Sequence, residues 1–196
     1  MNMSAIRIYY HNAFKCEAVS ISPGQFYVTD QDILIGTTLG SCVAACIRDR
    51  LSGIGGMNHF LLPYYGNDPG NADFESARYG AYAMDMLIKE VINLGAVKKN
   101  LEAKVFGGGN VSGYYSTLDI GKNNAKFVRQ YLNEKSINIT AEDLADFQGR
   151  TIYFSPRSGK VWVRKLAVVT PTILDMEKEY PNTIESDLLS GEMDMF

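Results

Sequence analysis

Short apolar runs, broken by glycine, proline, asparagine and aspartate, set the pattern of the first third of this chain; a helical period takes over later. Residues 24–29 (GQFYVT) and 32–38 (DILIGTT) alternate or run apolar in short pieces around Asp30-Gln31-Asp32, which predicts two strands joined by a turn. Residues 41–49 (SCVAACIRD) and 53–63 (GIGGMNHFLLP) repeat the pattern around Arg50-Leu51-Ser52-Gly53, a hairpin signature. Residues 64–76 (YYGNDPGNADFES) carry turn formers throughout and read as an exposed loop. After Ser76, a candidate N-cap, Ala77, Ala81, Met84, Leu87, Ile88, Val91 and Ile92 recur at helical spacing until Gly95 ends the run. Residues 101–109 (LEAKVFGGG) read as a strand that breaks into glycines. A second helix is predicted over about residues 121–134, with Ala125, Val128, Tyr131 and Leu132 on one face. Residues 151–169 read as strand, turn, strand, with Ser155-Pro156 and Ser158-Gly159 supplying the turn.

This pattern divides the chain into an N-terminal arm or edge segment (1–23), one domain (24–170) and a tail (171–196). The tail mixes acidic residues with Leu188, Leu189, Met193 and Phe196, and is expected to dock loosely or to order on a partner. A length of 196 residues fills one core comfortably. The net charge of −3, with no cluster of lysines and arginines, argues against nucleic acid as a partner. No apolar stretch approaches the roughly 18 residues of a membrane span, and the N-terminus lacks a basic segment leading into an apolar one. A cytoplasmic protein without membrane insertion is the expectation. Three cysteines, an odd count, fit a reducing compartment, and His11 and His59 without a Cys-x-x-Cys pair give no metal-ligand spacing.

Candidate chemistry gathers in residues 37–63. Cys42 follows Leu39-Gly40-Ser41, where small residues permit a sharp turn and let backbone N–H groups face a reacting carbonyl; His59 lies seventeen positions later on the returning strand. An imidazole that takes the proton of a thiol and returns it to a leaving amine is the basis of cysteine–histidine hydrolysis. Alternation sends Asn58 to the face opposite His59, so Thr37 or Thr38 is the better candidate to hold the ring or the substrate. The competing reading makes Cys42 a small core hydrophobe, the role assigned to Cys46 and Cys16. Residues 106–110 (FGGGN) resemble a phosphate-cradling turn but lack the following lysine and hydroxyl, and read as a tight turn or partner-facing loop. Trp162, Tyr153 and Phe154 are expected in the core, His11 as a surface or satisfied histidine, and Glu142-Asp143 in a helix first turn or solvated loop.

In their order, LGSCVAACIRD, GGMNHFLLP, LEAKVFGGG, IGKNNAKFV and AED resemble the chemoreceptor glutamine deamidase family of bacterial chemotaxis, CheD, over about residues 24–166. The resemblance implies a protein-glutamine amidohydrolase that acts on the cytoplasmic helices of methyl-accepting chemotaxis receptors through a cysteine thioester. Cys42 matches the family's nucleophile and His59 its general base and acid. The family's third residue is a threonine shortly before the cysteine; Gly36 holds the ungapped position, with Thr37 and Thr38 just after it. The implied fold is an α/β layered sandwich of mixed or antiparallel β-sheets flanked by helices, similar to the catalytic domain of the cytotoxic necrotizing factors. No metal or organic cofactor is implied. A CheC-type phosphatase is implied as a partner, with Phe106, Gly107 and Gly108 near the contact surface. Two other classes stand beside this one: an adaptor that binds receptors or the phosphatase without turnover, and a hydrolase of free glutamine.

Overall fold

The computed structural model describes residues 6–61, 72–110, 120–166 and 193–196. Its centre is the hairpin of β5 (Val43–Asp49) and β6 (Gly55–Phe60), with Val43 opposite Phe60 and Ala44 opposite His59. β3 (Phe26–Thr29) joins the far side of β6, and β7 (Leu101–Gly107) the far side of β5, both antiparallel. β8 (Asn138–Leu144) lies parallel to β7, reached through α2 (Ile120–Glu134), and completes a central sheet in the order β3-β6-β5-β7-β8. A second, outer sheet runs β1-β2-β4-β9-β10-β11, built from Ile8–His11, Cys16–Ser20, Leu34–Leu39, Arg150–Phe154, Val161–Lys165 and Asp194–Met195. Each sheet mixes parallel and antiparallel pairs.

Alternation along the central strands sorts side chains into two cores. Val43, Ala45, Ile47, Phe60 and Val105 point towards α1 (Ala72–Asn93) and α2, meeting Met84, Leu87 and Val91 of the first helix and Val128 and Leu132 of the second. Cys42, Ala44, Cys46, Met57 and Phe106 point the other way, against Val19, Ile35, Leu39, Ile152, Phe154 and Val161 of the outer sheet. The result is an α/β sandwich of three layers: outer sheet, central sheet, helices.

Several expectations change here. The runs at 24–29 and 32–38 are strands, but β3 and β4 belong to different sheets and do not pair; the turn between them carries the chain from one layer to the other. Ser76 is not a cap, because α1 starts at Ala72. Residues 64–71 of the expected loop, and residues 167–192 with most of the tail, lie outside the described residues. The segment at 1–23 supplies β1 at a sheet edge and β2 inside it, and the last residues pair with β10 as β11. Glu142-Asp143 lies on β8, where Glu142 meets Arg129 and Asp143 meets Arg150. His11 is buried, its ring edge-on to Phe14 and Tyr153 on the outer face of the outer sheet.

Phe106, with no exposed surface, fills the space between the sheets and meets the ring of Phe196 edge-on at 5.8 Å. Truncating it leaves a cavity the two sheets cannot close. Phe106→Ala is expected to cost about 3–5 kcal/mol of unfolding free energy, read from urea denaturation, where a surface contact residue would cost little.

Candidate active site

Cys42 sits where the chain changes layers. β4 of the outer sheet ends at Leu39, β5 of the central sheet starts at Val43, and Gly40-Ser41-Cys42 make the corner between them. All three corner carbonyls accept hydrogen bonds from other elements: Gly109 N–H donates to Gly40 at 2.8 Å, the Asn124 side-chain amide to Ser41 at 2.8 Å, and Gly108 N–H to Cys42 at 2.7 Å. The glycine turn after β7 has to come this close. Gly107 and Gly108 have φ of +109° and +67°, and a Cβ on Gly107 would run into the Cys42 carbonyl.

His59 shares a face with Cys42. It stands opposite Ala44, two residues beyond Cys42 on the same side of β5, so the thiol and the ring are diagonal cross-strand neighbours. Such pairs have Cα atoms about 7–8 Å apart, within reach of an imidazole. The backbone of His59 is pinned as well, its N–H donating to Gln25 and its carbonyl accepting from Gly24. Cys42 and His59 are 1% and 2% exposed.

The ring is held across the gap between the sheets. Thr37 of β4 donates its one hydroxyl proton to the Ile21 carbonyl at 2.7 Å, and its oxygen lies 2.8 Å from His59 Nδ1. With that proton spent on Ile21, the hydroxyl accepts from Nδ1–H, which fixes the tautomer and leaves Nε2 as the basic nitrogen. Nε2 has no hydrogen-bond partner among the described residues. Burial lowers the His59 pKa from its ordinary value to about 3, so the ring is neutral near pH 7. The two threonines therefore part: Thr37 meets His59, whereas Thr38 faces the other way and bonds Thr151 at 3.0 Å. Gly36 faces away from His59, and a Cβ there would fall 2.7 Å from the Tyr153 ring, leaving no room for a threonine.

The remaining candidates settle elsewhere. Asn58 faces α1, accepting from Ala45 N–H and donating to the Ala83 carbonyl. Cys46 is fully buried beside Met57, and burial pushes its thiol well above the usual range, which makes it an inert packing residue. Phe106, Gly107 and Gly108 are all buried; alternation turns Phe106 inwards opposite Ala44 and the glycines close the Cys42 corner. Arg150, fully buried on β9 opposite Leu39, escaped the sequence reading. It donates to the carbonyls of Asp143, Ala145 and Gln148 and pairs with Asp143 at 3.0 Å. Among the described residues no three His, Cys, Asp or Glu side chains gather in a way that would hold a metal.

The chain resembles known proteins in sequence. The family described as CheD chemotactic sensory transduction matches residues 61–165. Two relatives bear the name "Probable chemoreceptor glutamine deamidase CheD": one from Thiobacillus denitrificans, 51% identical over 98% of this chain and 96% of its own, and one from Methylobacillus flagellatus, 49% identical over 98% and 96%. The chain belongs to the CheD family. A CheD relative from a Janthinobacterium species is 48% identical over 98% of the chain. Among solved structures, the hypothetical protein YfiH of Bacillus licheniformis aligns with 60% of this chain and 49% of its own at 14% identity, with a TM-score of 0.38.

The neutral, buried His59 makes stability depend on pH. Between pH 6.5 and about 3 the unfolded chain binds a proton at this residue that the folded chain refuses. Stability is therefore complete above the ordinary histidine pKa and falls as pH drops through that window. Urea midpoints measured from pH 7 to pH 4.5 are expected to decline in the wild type and to decline less in His59→Gln.

Proposed function

We propose that this chain is a chemoreceptor glutamine deamidase, converting glutamine side chains on the cytoplasmic helices of methyl-accepting chemotaxis receptors to glutamate and ammonia. The observation that carries this is the Thr37–His59 bond across the two sheets, with Cys42 on the same face as the ring. Membership of the CheD family and the names of its relatives support the substrate.

Neutral His59 takes the thiol proton of Cys42 on Nε2 as the sulfur attacks the side-chain carbonyl carbon of glutamine. The tetrahedral species collapses when His59 returns that proton to the leaving nitrogen, releasing ammonia and leaving an acyl-thioester on Cys42. Water then gives a proton to Nε2 and adds its oxygen to the thioester. The sulfur leaves and recovers the proton, so the sum is one amide and one water converted to one acid and one ammonia. Thr37 stays outside the bond changes; it keeps Nδ1 protonated so that Nε2 is the nitrogen that cycles. The buried thiol suits this substrate, because glutamine presents its amide on a flexible stem and only that stem must enter.

The site of action follows from the receptors' cytoplasmic helices, so the protein works in the cytoplasm. No helix among the described residues is long and apolar enough to cross a membrane. A CheC-type phosphatase is a second partner implied by the family.

Incubation with receptor cytoplasmic fragments, followed by peptide mass mapping, is expected to show amide-to-acid conversion at specific glutamines. Cys42→Ala should abolish it; ammonia release by that variant would remove Cys42 from the mechanism. Thr37→Val is expected to lower kcat by about 10²-fold, the low end of what a correctly protonated general base contributes, while Thr37→Ser keeps most of the activity.

A further inference from the structure

Asn124 is the one wholly buried asparagine on α2, and its side-chain amide donates to a corner carbonyl, that of Ser41, 2.8 Å away. Asparagine is a poor helix former and an expensive side chain to bury, so a hydrogen bond to the residue before the nucleophile has a chemical consequence worth tracing. A trans peptide unit is planar, with its C=O and its N–H pointing in opposite directions. The Ser41 carbonyl points to α2, on the helix side of the central sheet. The N–H of the same peptide unit belongs to Cys42, and it must point to the opposite side, into the space between the sheets where Cys42 clusters and where His59 meets Thr37. The donor, the sulfur and the basic nitrogen therefore converge on one side of the corner.

We infer that the Cys42 backbone N–H donates to the oxyanion of the tetrahedral species, and that Asn124 is a positioning residue that aims it. The inference rests on the deamidase reading for the identity of the reaction. Attack by Sγ moves the carbonyl π pair onto the amide oxygen, and an N–H fixed before the reaction stabilises that charge without reorganising. Asn124 touches neither substrate nor reacting atoms. It acts by locking the Ser41–Cys42 peptide plane, aided by Gly109 on Gly40 and Gly108 on Cys42. If the plane flipped, a carbonyl would face the developing charge instead.

Asn124→Leu keeps the approximate size and removes the donor. It is expected to lower kcat on receptor fragments by about 10²-fold, the loss typical of one oxyanion donor, with KM within twofold of wild type. The rate of Cys42 alkylation by iodoacetamide across pH should stay unchanged, because displacement at a saturated carbon forms no oxyanion; a merely structural role would shift that profile too. An unchanged kcat, or a fall in kcat matched by a changed alkylation profile, would overturn the assignment of Asn124. The wild-type protein supplies a test that needs no variant to fold. A peptide carrying glutamate γ-semialdehyde in place of glutamine adds to Cys42: the S–C bond forms, the carbonyl pair moves to oxygen, and the thiol proton passes to His59. Nuclear magnetic resonance of the isotope-labelled protein is expected to show the Cys42 amide proton moving downfield on adduct formation; an unmoved proton would refute it as the donor. Failure of the wild type to deamidate receptor fragments would instead strike the functional reading, and the aldehyde adduct would still report on the N–H.

Discussion

The corner at Gly40-Ser41-Cys42 is the constraint on which the site depends. A chain that leaves one sheet and enters another within three residues has its backbone direction set at both ends by strand pairing, Leu39 to Arg150 on one side and Val43 to Phe60 and Gly107 on the other. Three outside donors then hold the corner carbonyls. Cys42, the proposed nucleophile, is thus placed by sheet register, which is the precision a reacting geometry needs. The close approach of the glycine turn at 107–108 is a consequence, since only residues without a Cβ let a second backbone reach the Cys42 carbonyl.

Neighbours, not burial, separate two thiols on one side of the central sheet, Cys42 at the corner and Cys46 on β5. Cys46 stands opposite Lys104, but desolvation outweighs that ammonium and raises the thiol well above its usual range. Cys42, four residues earlier, has His59 diagonally across. That ring is itself a weak base at rest because it is desolvated. At 1% exposure the Cys42 sulfur is shielded from oxidants that prefer exposed thiolates. The hydroxyl of Thr37 fixes the tautomer of the buried His59 ring, keeping the proton on Nδ1.

Local chemistry wrote the legible part of this structure into the sequence. The β5–β6 hairpin announced itself by turn residues between two apolar runs, and α2 by its repeating face; the glycine-flanked Cys42 and the later His59 stood out for the same reason. What was not legible depends on distant partners. β3 and β4 look like a hairpin because a crossing between layers and a turn within a sheet use the same residues. β8 hides because its exposed and half-buried positions carry charge, neutralised by Arg129 on a helix and Arg150 on another sheet. Choosing Thr37 over Thr38 required the register of β4 against β9, which sends Thr38 towards Thr151. Asn124 is 83 residues from the carbonyl it holds, and no local pattern marks such a contact.

Arg150 shows how the support of the corner closes on itself. It lies opposite Leu39, the last residue before the corner, and its guanidinium gathers the carbonyls of Asp143, Ala145 and Gln148, where Ala145 and Asp146 sit at positive φ. That loop in turn receives and gives backbone bonds at the glycine turn: Ala145 N–H donates to Gly107, and Asn110 N–H donates to Asp146. Gly108 and Gly109 then return to Cys42 and Gly40. The path from β4 through β9, the strained loop and the β7 turn back to the corner is a ring of hydrogen bonds that spans both sheets. A guanidinium buried with a carboxylate at 3.0 Å is costly to desolvate, and its partners compensate only while the loop keeps its shape. Left-handed residues other than glycine are costly for the same chain, on the order of 1–3 kcal/mol each. Both costs fall on the segment that braces Cys42, so stability lost there is exchanged for a corner that cannot drift.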